Sequence, residues 1–342
     1  QHNTSILRSR TDRLLAVAET GKPLPMMLSL LKAHTSRYAA GSSEGSDGLN
    51  VQNFNKRDPK QLTLRRAIKV PSGYKLVAGD SSQIEARLLA YVANETELLD
   101  HFRYGRDPYS EQASKIYGIP AEEIRAGAKS GDKRLKTCRN VGKTAVLSAG
   151  YQVGAMKFSN TLLRSGIHLD PDVERHHALA KEAHAVYRAS NPNIVQFWKT
   201  CQTVVALLAQ GDKGFFGGPD TGLFIYTPKR LFRRYAEETP VVVLPTSYLI
   251  VYKDLAAHET EYGVEFTYQR RVGKKGIPCR LYGGALTENV VQGTAFQLML
   301  WQALRLQEEL HQLDPSLNIA FNIHDAWGVV TPDGYVDKVE EL

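Results

Sequence analysis

The sequence predicts an α+β fold in which a long helical segment is inserted between two groups of strands. Residues 107–188 have a predominantly helical pattern, which follows a predicted helix at about 83–103. Helix returns at 288–310, and residues 3–18 are amphipathic with helical spacing. Strand patterns occur on both sides of the insert, at 67–70, 75–78, 241–245, 248–252, 264–268, 317–323 and 327–330. This order indicates an α+β body that carries a helical subdomain.

The composition is typical of a globular protein with room for two or three structural modules. The 342 residues are 42% hydrophobic and 23% charged, and no apolar run has the length of a membrane span. No membrane partner is therefore expected. The three cysteines are far apart and lack CxxC spacing, which argues against a disulfide framework or a zinc site. The net charge of +7 favours a polyanionic partner.

The first candidate functional residue is Asp80, at the end of an apolar run. Residues 76–78 predict a short buried strand, and Glu85 and Arg87 follow on a predicted helix. A carboxylate at the end of a buried strand is held rigidly enough to bind a metal ion. An aspartate in this position also commonly caps the helix that follows. This stretch alone leaves both interpretations open.

A second candidate acid, Asp325, lies between two apolar runs. This pattern predicts a β-hairpin with His324 and Asp325 at its tip. Taken alone, Asp325 is equally a turn aspartate. Together with Asp80 it forms a candidate site of the kind that holds two divalent ions for phosphoryl transfer. Carboxylate oxygens, phosphates and water are the ligands that Mg²⁺ prefers.

A third element lies between the two acids. On a predicted helix, residues at intervals of four share one face: Arg139, Lys143, Leu147 and Tyr151. Two cations, an apolar surface and an aromatic ring suit a triphosphate, a base and a sugar, although a surface helix with a basic half has the same pattern. Gly142-Lys143-Thr144 is not a P-loop ending, because that motif needs a glycine where this chain has Thr137.

The three elements together resemble the family A DNA polymerases, the DNA polymerase I and phage replicative type. Residues 80–87, Asp-Ser-Ser-Gln-Ile-Glu-Ala-Arg, resemble the first palm motif, and His324-Asp325 resembles the second. The Arg139 to Tyr151 stripe is similar to the fingers helix of the family. The shared order and spacing are more specific than any single motif. Similar segments at 34–38, 49–53, 106–109 and 289–295 extend the resemblance over the chain from about His34 onward.

The resemblance implies a right-hand polymerase fold with an antiparallel-sheet palm and a mainly helical fingers subdomain. It divides the chain into a truncated base of the thumb at 1–33, a first palm part at 34–100, fingers at 101–270 and a second palm part at 271–342. The implied activity is DNA-templated DNA synthesis from deoxynucleoside triphosphates on primer-template DNA, with release of pyrophosphate. The protein would act in the cytoplasm of a bacterial or phage-infected cell, although an organelle is also open as its location. Whether it has a processivity or exonuclease partner is left open too.

The resemblance also implies roles for individual residues in catalysis. Asp80, Asp325 and the backbone carbonyl of Ser81 would hold two Mg²⁺ ions. Arg139 and Lys143 would bind the β- and γ-phosphates, with Lys143 a candidate proton donor to pyrophosphate. The other implied nucleotide contacts are Gln83, Glu85, Tyr109, Leu147 and Tyr151, and Glu85 would exclude a 2′-hydroxyl. The implied primer and template contacts are Arg37, Asn50, Gln52, Asn53, Gln292 and His324.

Four positions depart from the family pattern. Leu147 replaces an aromatic residue, Gln152 replaces a glycine, Ala326 replaces a glutamate and Ser81 replaces an aromatic residue. These departures are phage-like, and none removes an implied metal ligand. Without a hydroxyl at Leu147, we expect discrimination against dideoxynucleotides.

Two alternatives to a DNA polymerase stay open at the level of the sequence. A single-subunit RNA polymerase shares the acids and the basic helix, although Glu85 would crowd a ribose 2′-hydroxyl. A catalytically silent DNA-binding relative would keep the fold without the activity. Three histidines on one predicted helix are interpreted as solvated residues and not as metal ligands: His176, His177 and His184.

Overall fold

The computed structural model describes residues 2–25, 28–29, 34–35, 37–40, 58–219, 222–227, 239–272 and 275–342. The chain divides into two compact units. The first unit combines both ends of the chain, Gln1–Ser82 and Phe296–Leu342, and the second is Gln83–Ala295. The thumb, palm and fingers boundaries given above stay a prediction.

The described residues form helices and antiparallel strands joined by turns and loops, which confirms the α+β class. The helices are α1 (His2–Glu19), α2 (Pro59–Ala67), α3 (Ile84–Val92), α4 (Thr96–Arg103), α5 (Pro108–Tyr117), α6 (Ala121–Ser130), α7 (Lys133–Ser148), α8 (Ala155–Arg164), α9 (Val173–Ser190), α10 (Pro192–Ala209), α11 (Gly283–Leu313) and α12 (Val336–Glu340). The strands are β1 (Leu28–Ser29), β2 (Ala39–Ala40), β3 (Tyr74–Asp80), β4 (Gly214–Phe216), β5 (Phe224–Thr227), β6 (Val241–Val243), β7 (Leu249–Val251), β8 (Ala256–Thr260), β9 (Gly263–Val272), β10 (Lys275–Leu281), β11 (Ile319–Ile323) and β12 (Ala326–Pro332).

The first unit is built on an antiparallel sheet with the strand order β11-β12-β3. Its core contains Leu310 from α11, Leu317, Val329 from β12 and Val339 from α12. The half-buried side chain of Val77 packs against this cluster. Strands from both ends of the chain therefore meet in one sheet.

Two predictions for the first unit are wrong. β3 ends at Asp80 as expected, but it is not buried: Leu76 is 47% exposed, because β3 is the edge strand of this sheet among the described residues. The segment 67–70 is not a strand. Asp58 caps α2 by accepting a hydrogen bond from the amide of Lys60, and Pro59 begins the helix, which runs to Ala67.

The second unit contains α3 to α10, the first part of α11 and two antiparallel sheets. The strand orders are β4-β5-β6-β7 and β10-β9-β8. The predicted helical region 107–188 is confirmed. The predicted helix 83–103 is two helices, because α3 ends at Val92 and Asn94 adopts a left-handed conformation with φ 55° before α4 begins. Glu95 then accepts hydrogen bonds from the amides of Asn193 and Ile194 at the start of α10.

The interpretation of the helix α9 histidines as solvated is wrong for two of them. His176 is 1% exposed and His184 is 5% exposed. The Nδ1 atom of His176 accepts a hydrogen bond from the amide of Leu169, and its Nε2 lies 3.3 Å from the carbonyl oxygen of Ser159. His184 Nε2 lies 2.7 Å from the carbonyl oxygen of Val153. These rings therefore join α9 to α8 and the segments beside it.

No helix in the described part of the chain combines the length and the apolar character of a membrane span.

Candidate active site

The antiparallel register of β3 and β12 brings the two candidate acids together. Asp80, the last residue of β3, is paired with Ala326, the first residue of β12, and Asp325 immediately precedes it. The amide of Ser81 donates a 2.9 Å hydrogen bond to the carbonyl oxygen of Asp325. Since paired strands lie about 4.8 Å apart, the backbones of the two aspartates are neighbours. The sequence contains both acids but not this register.

The hairpin predicted around Asp325 is present, and its turn is braced from within. Ile323 pairs with Ala326, so His324 and Asp325 form a two-residue turn. His324 has a φ of 58°, the left-handed conformation that tight hairpin turns require at their first position. The buried side chain of Asn322 donates hydrogen bonds to the carbonyl oxygens of His324 and Ala326, at 3.1 and 3.2 Å. Asn322 therefore fixes the backbone on both sides of Asp325.

The two aspartates at this end of the sheet carry oxygen atoms of the kind that bind divalent metal ions. Asp80 is exposed and Asp325 is half-buried, so both can reach solvent-borne ions. Two carboxylates with a backbone carbonyl suit Mg²⁺, which keeps several water or phosphate ligands. Among the described residues, no group of three or more histidine, cysteine, aspartate or glutamate side chains forms a metal cluster. The competing interpretation of Asp80 as a helix cap is wrong, because the N-cap of α3 is Gln83.

The basic stripe predicted between the acids lies on α7, in the second unit. Asp132 begins this helix by accepting a 2.9 Å hydrogen bond from the amide of Leu135. Arg139, Lys143 and Leu147 lie on the α-helix at the predicted spacing. Tyr151 is not part of the α-helix, since α7 ends at Ser148 and Ala149–Tyr151 is a 3₁₀ turn.

Arg139 is held by a carboxylate that the sequence did not single out. Its Nε and Nη2 atoms donate hydrogen bonds of 2.7 and 3.1 Å to the two carboxylate oxygens of Asp107, which precedes α5. Asp107 also accepts hydrogen bonds from the amide and hydroxyl of Ser110, at 3.2 and 2.6 Å. Burial raises the pKa of Asp107, but the hydrogen bonds from Arg139 and Ser110 outweigh burial and hold the pKa below its ordinary value.

Tyr109 forms the surface on which both cations rest. Its ring centroid lies 5.3 Å from Cζ of Arg139 and 5.7 Å from Nζ of Lys143, both within cation–π range. Tyr109 is only 6% exposed and packs in a core cluster with Val141 and Ala145. The ring therefore supports the two cations, and the nucleotide contact that the resemblance implies for Tyr109 stays a prediction.

Gly142 explains how α7 comes this close to α5. A methyl group at Gly142 would collide with the carbonyl oxygen of Tyr109 and lie 2.9 Å from the amide nitrogen of Ala113. The two helices therefore touch backbone to backbone at this point, and only glycine fits. Gly142 lies between Arg139 and Lys143 in the chain, so this contact brings both cations to the start of α5.

Glu85 and Tyr151 are joined by a hydrogen bond. The Tyr151 hydroxyl donates to Oε2 of Glu85 at 3.3 Å. Burial, followed by the nearby Glu85 carboxylate, raises the pKa of Tyr151 well above its ordinary value. The phenol therefore keeps its proton at neutral pH and holds the half-buried Glu85 side chain on α3.

Position 152 has a backbone conformation that suits glycine, and in this chain the side chain of Gln152 forms a hydrogen bond that glycine could not make. Gln152 has φ 60°, the left-handed region that favours glycine. Its side-chain oxygen accepts a 2.8 Å hydrogen bond from the amide of Gly284, at the start of α11. Gly284 itself has no room for a side chain, because a methyl group there would lie 2.6 Å from the carbonyl oxygen of Tyr151. Gln152 thus links the end of the α7 region to α11.

The remaining predicted site residues take varied positions. Gln83 is half-buried with φ 58°, Leu147 is 42% exposed, and Gln292 donates a 3.1 Å hydrogen bond to Glu288. In the first unit, His324 is exposed and Arg37 is half-buried. Asn50, Gln52 and Asn53 lie outside the described residues.

Sequence reasoning missed Asp107, Gly142 and Asn322 as residues that support the site. The Asp-Pro pair at 107–108 is a helix-start signal and could have located α5, but it gives no information about Arg139. Gly142 within a helical pattern signals close packing without naming the partner. Asn322 carries no comparable signal, because it lies inside a strand.

Comparison with solved structures identifies the fold as that of a polymerase domain. The chain is similar to the POL domain of Pol1 from M. smegmatis, a structure in complex with DNA primer-template and dNTP, with a TM-score of 0.60 and 17% identity. The match covers 99% of this chain and 47% of that chain. Residues 21–207, more than half of the sequence, match the family model of DNA polymerase family A. The chain belongs to DNA polymerase family A, which is consistent with the use of a divalent metal.

Curated relatives agree with this assignment. The DNA polymerase of Bacillus phage SP02 is 28% identical over 286 residues, which is 82% of this chain and 39% of that protein. DNA polymerase I of Pseudomonas aeruginosa is 38% identical over 106 residues, 30% of this chain and 11% of that protein. The thermostable DNA polymerase I of Thermus aquaticus is 41% identical over 86 residues, 25% of this chain and 10% of that protein. The chain thus spans less than half the length of these relatives.

Proposed function

We propose that this chain is the core of a DNA-templated DNA polymerase that extends a primer 3′ end with deoxynucleotides and releases pyrophosphate. The observation that carries the proposal is the pairing of Asp80 with Ala326, which makes Asp80 and Asp325 neighbours in a family A chain. The net charge of +7 suits a primer-template partner. The reaction would take place on DNA, in the cytoplasm of a bacterial or phage-infected cell.

Two Mg²⁺ ions would be held by Asp80, Asp325 and the carbonyl oxygen of Ser81. When bound, such ions activate the attacking hydroxyl and offset the charge that develops on the transferred phosphate. Asn322 keeps the turn that carries Asp325 in one backbone conformation, through its two hydrogen bonds to the turn carbonyls. The carboxylates would therefore be positioned before substrate arrives, as electrostatic catalysis requires.

Arg139 and Lys143 would bind the triphosphate of the incoming nucleotide. Both side chains lie against the face of the Tyr109 ring, which orients them without adding a negative charge beside them. Lys143 is exposed and would donate a proton to the leaving pyrophosphate. Leu147, one turn further along α7, would pack against the nascent base pair.

Glu85 would select the deoxyribose sugar. Its carboxylate is held by the Tyr151 hydroxyl, so a 2′-hydroxyl group at this side chain would meet a fixed group. This contact favours deoxynucleotides over ribonucleotides, and it separates the proposal from a single-subunit RNA polymerase. Gln83 beside it would complete the sugar and base contacts, while Arg37, Gln292 and His324 would contact DNA.

Primer extension with single-residue variants tests the proposal. Asp80→Asn and Asp325→Asn remove one carboxylate charge each, and the loss of several kcal/mol of metal stabilisation should lower the rate about 1,000-fold. Affinity for primer-template DNA, measured by fluorescence anisotropy, should stay within about threefold of the unaltered protein, since neither acid is proposed to bind DNA.

Asp337→Asn is the matched control, because it removes an exposed carboxylate from α12 in the same unit. This variant should extend primers at the rate of the unaltered protein. Normal extension by either Asp80→Asn or Asp325→Asn would refute the proposal. An equal loss in Asp337→Asn would also count against it, because the effect would then not belong to the two acids.

A further inference from the structure

We propose that Asp107 is a positioning residue for the incoming triphosphate, acting through Arg139. The proposal rests on the proposed function, in which Arg139 binds phosphate. Asp107 would hold the guanidinium group so that one of its edges faces the nucleotide. Asp107 itself would touch neither the nucleotide nor the metal ions.

The pairing between the two side chains leaves a defined set of donors available. A guanidinium group has five N–H donors in one plane. The carboxylate of Asp107 accepts hydrogen bonds from Nε and Nη2 of Arg139, at 2.7 and 3.1 Å. Within the described residues, the Nη1 atom of Arg139 makes no hydrogen bond. The edge that carries Nη1 therefore keeps donors for a phosphate oxygen, and its direction is fixed by the carboxylate on the opposite side.

Asp107 is itself buried and hydrogen-bonded, which makes it a suitable anchor. Its side chain is only 10% exposed. It is the N-cap of α5, and Ser110 donates two hydrogen bonds to the same oxygen that Nε of Arg139 contacts. Both carboxylate oxygens are thus engaged, and the position of the guanidinium follows from the position of α5.

The Tyr109 ring and Gly142 restrict the same guanidinium from other directions. The ring lies under Cζ of Arg139 at 5.3 Å, which leaves the plane of the group little freedom to tilt. Gly142 sets the distance between α7 and α5 by backbone contact. An arginine that loses its carboxylate partner regains side-chain conformational freedom, and this entropy opposes phosphate binding.

The negative charge of Asp107 would be expected to repel a triphosphate. That charge is paired at short distance with Arg139, so the combined group is close to neutral beyond the pair. The pairing also offsets part of the attraction between Arg139 and the phosphates, and we expect the gain from fixing the guanidinium to be the larger effect. For this reason we expect removal of the Asp107 charge to weaken nucleotide binding.

Asp107→Asn is the informative substitution because it spares the helix cap. Asparagine caps helices about as well as aspartate, so its remaining oxygen can still accept from Ser110. Its amide group, however, presents N–H donors to the N–H donors of Arg139, which breaks the two-bond pairing. We expect the KM for dNTP in single-nucleotide primer extension to rise about tenfold, equivalent to ~1.4 kcal/mol, with kcat changed less than about twofold.

A double-mutant cycle with Arg139→Ala separates positioning from a merely structural role. If Asp107 acts through Arg139, Asp107→Asn should raise KM in the unaltered protein and have no further effect in the Arg139→Ala background. Ser110→Ala is the second variant, in case Asp107→Asn does not fold. It removes hydroxyl donation to the same carboxylate and should raise KM about threefold, again only when Arg139 is present.

Asp132→Asn is the matched control, since Asp132 caps α7 through the amide of Leu135 but pairs with no arginine among the described residues. It should leave KM unchanged. The proposal is overturned if Asp107→Asn lowers thermal stability without raising KM, or if its effect persists in Arg139→Ala. An unchanged KM in Arg139→Ala alone would instead contradict the proposed phosphate contact of Arg139.

Discussion

Gly142→Ala should damage nucleotide binding although it adds only one methyl group to the surface between two helices. The methyl group would overlap the carbonyl oxygen of Tyr109 and lie 2.9 Å from the amide of Ala113. Both contacts are with backbone atoms of α5, so no change of rotamer can relieve them. The helices must separate, and Arg139 moves away from its partner on α5.

The magnitude follows from two opposing effects. Alanine is a better helix former than glycine and should stabilise the interior of α7 by about 1 kcal/mol. Overpacking costs about 1 to 3 kcal/mol, and rigid backbone on the opposing side places this site at the upper end of that range. The net result is a loss of about 2 kcal/mol, which corresponds to a fall of about 4 to 8 °C in the unfolding temperature of a unit this size.

Differential scanning fluorimetry and single-nucleotide primer extension would measure the two consequences. Gly127→Ala is the matched comparison, because its new methyl group meets the side chain of Leu135, which has some freedom to adjust. That variant should lose less stability and keep its KM for dNTP. If Gly142→Ala unfolds at the temperature of the unaltered protein and keeps its KM, the reasoning about backbone contact between α7 and α5 is wrong.

Four further predictions concern single side chains. Tyr109→Phe should keep the KM for dNTP within about twofold, whereas Tyr109→Leu should raise it about fivefold. The reason is that the face of the ring, and not its hydroxyl, supports the two cations. A large rise in KM for Tyr109→Phe would contradict this. Glu85→Ala should increase ribonucleotide incorporation relative to deoxynucleotide incorporation by at least about tenfold. Tyr151→Phe should do so more weakly, since it removes only one hydrogen bond to the Glu85 carboxylate. Unchanged selectivity in both variants would refute the sugar contact. Leu147→Tyr should raise dideoxynucleotide incorporation relative to the unaltered protein, measured by chain termination, and an equal use of both sugars by the unaltered protein would contradict the expectation. Burial raises the pKa of Tyr252, so the folded state retains a proton that the unfolded state releases above about pH 10. The stability of the fold should therefore fall as the pH rises past that value. Tyr252→Phe should make the fall in unfolding temperature with pH shallower, and an unchanged pH dependence would contradict the buried, protonated phenol.

Much of the local structure around the site followed from the sequence. The two apolar runs on either side of His324-Asp325 located the hairpin, and helical spacing located Arg139 and Lys143 on one face of α7. Both patterns arise from backbone geometry within a few residues, which composition and spacing record directly. The end of β3 at Asp80 followed for the same reason.

Predictions that depended on neighbours distant in the chain were less successful. The apolar run before Asp80 predicts a buried strand, but the burial of a strand depends on what pairs with it and packs over it. His176 and His184 were interpreted as solvated, although hydrogen-bond partners from other segments enclose them. The 3₁₀ turn Ala149–Tyr151 was not predicted either, and the hydroxyl of Tyr151 donates a hydrogen bond to Glu85, which lies 66 positions away in the chain.

The sequence by itself determined which residues could carry the chemistry: one aspartate at the end of a strand, a second at the tip of a hairpin, two cations on a helix, and a glutamate that follows the first aspartate in the chain. Only the tertiary structure decided how they are held. The register of β3 and β12 makes Asp80 and Asp325 neighbours, and backbone contact at Gly142 lets Asp107 hold Arg139. Residue types and short spacings reflect local backbone geometry, whereas register and helix approach are fixed by contacts between segments that no local pattern encodes.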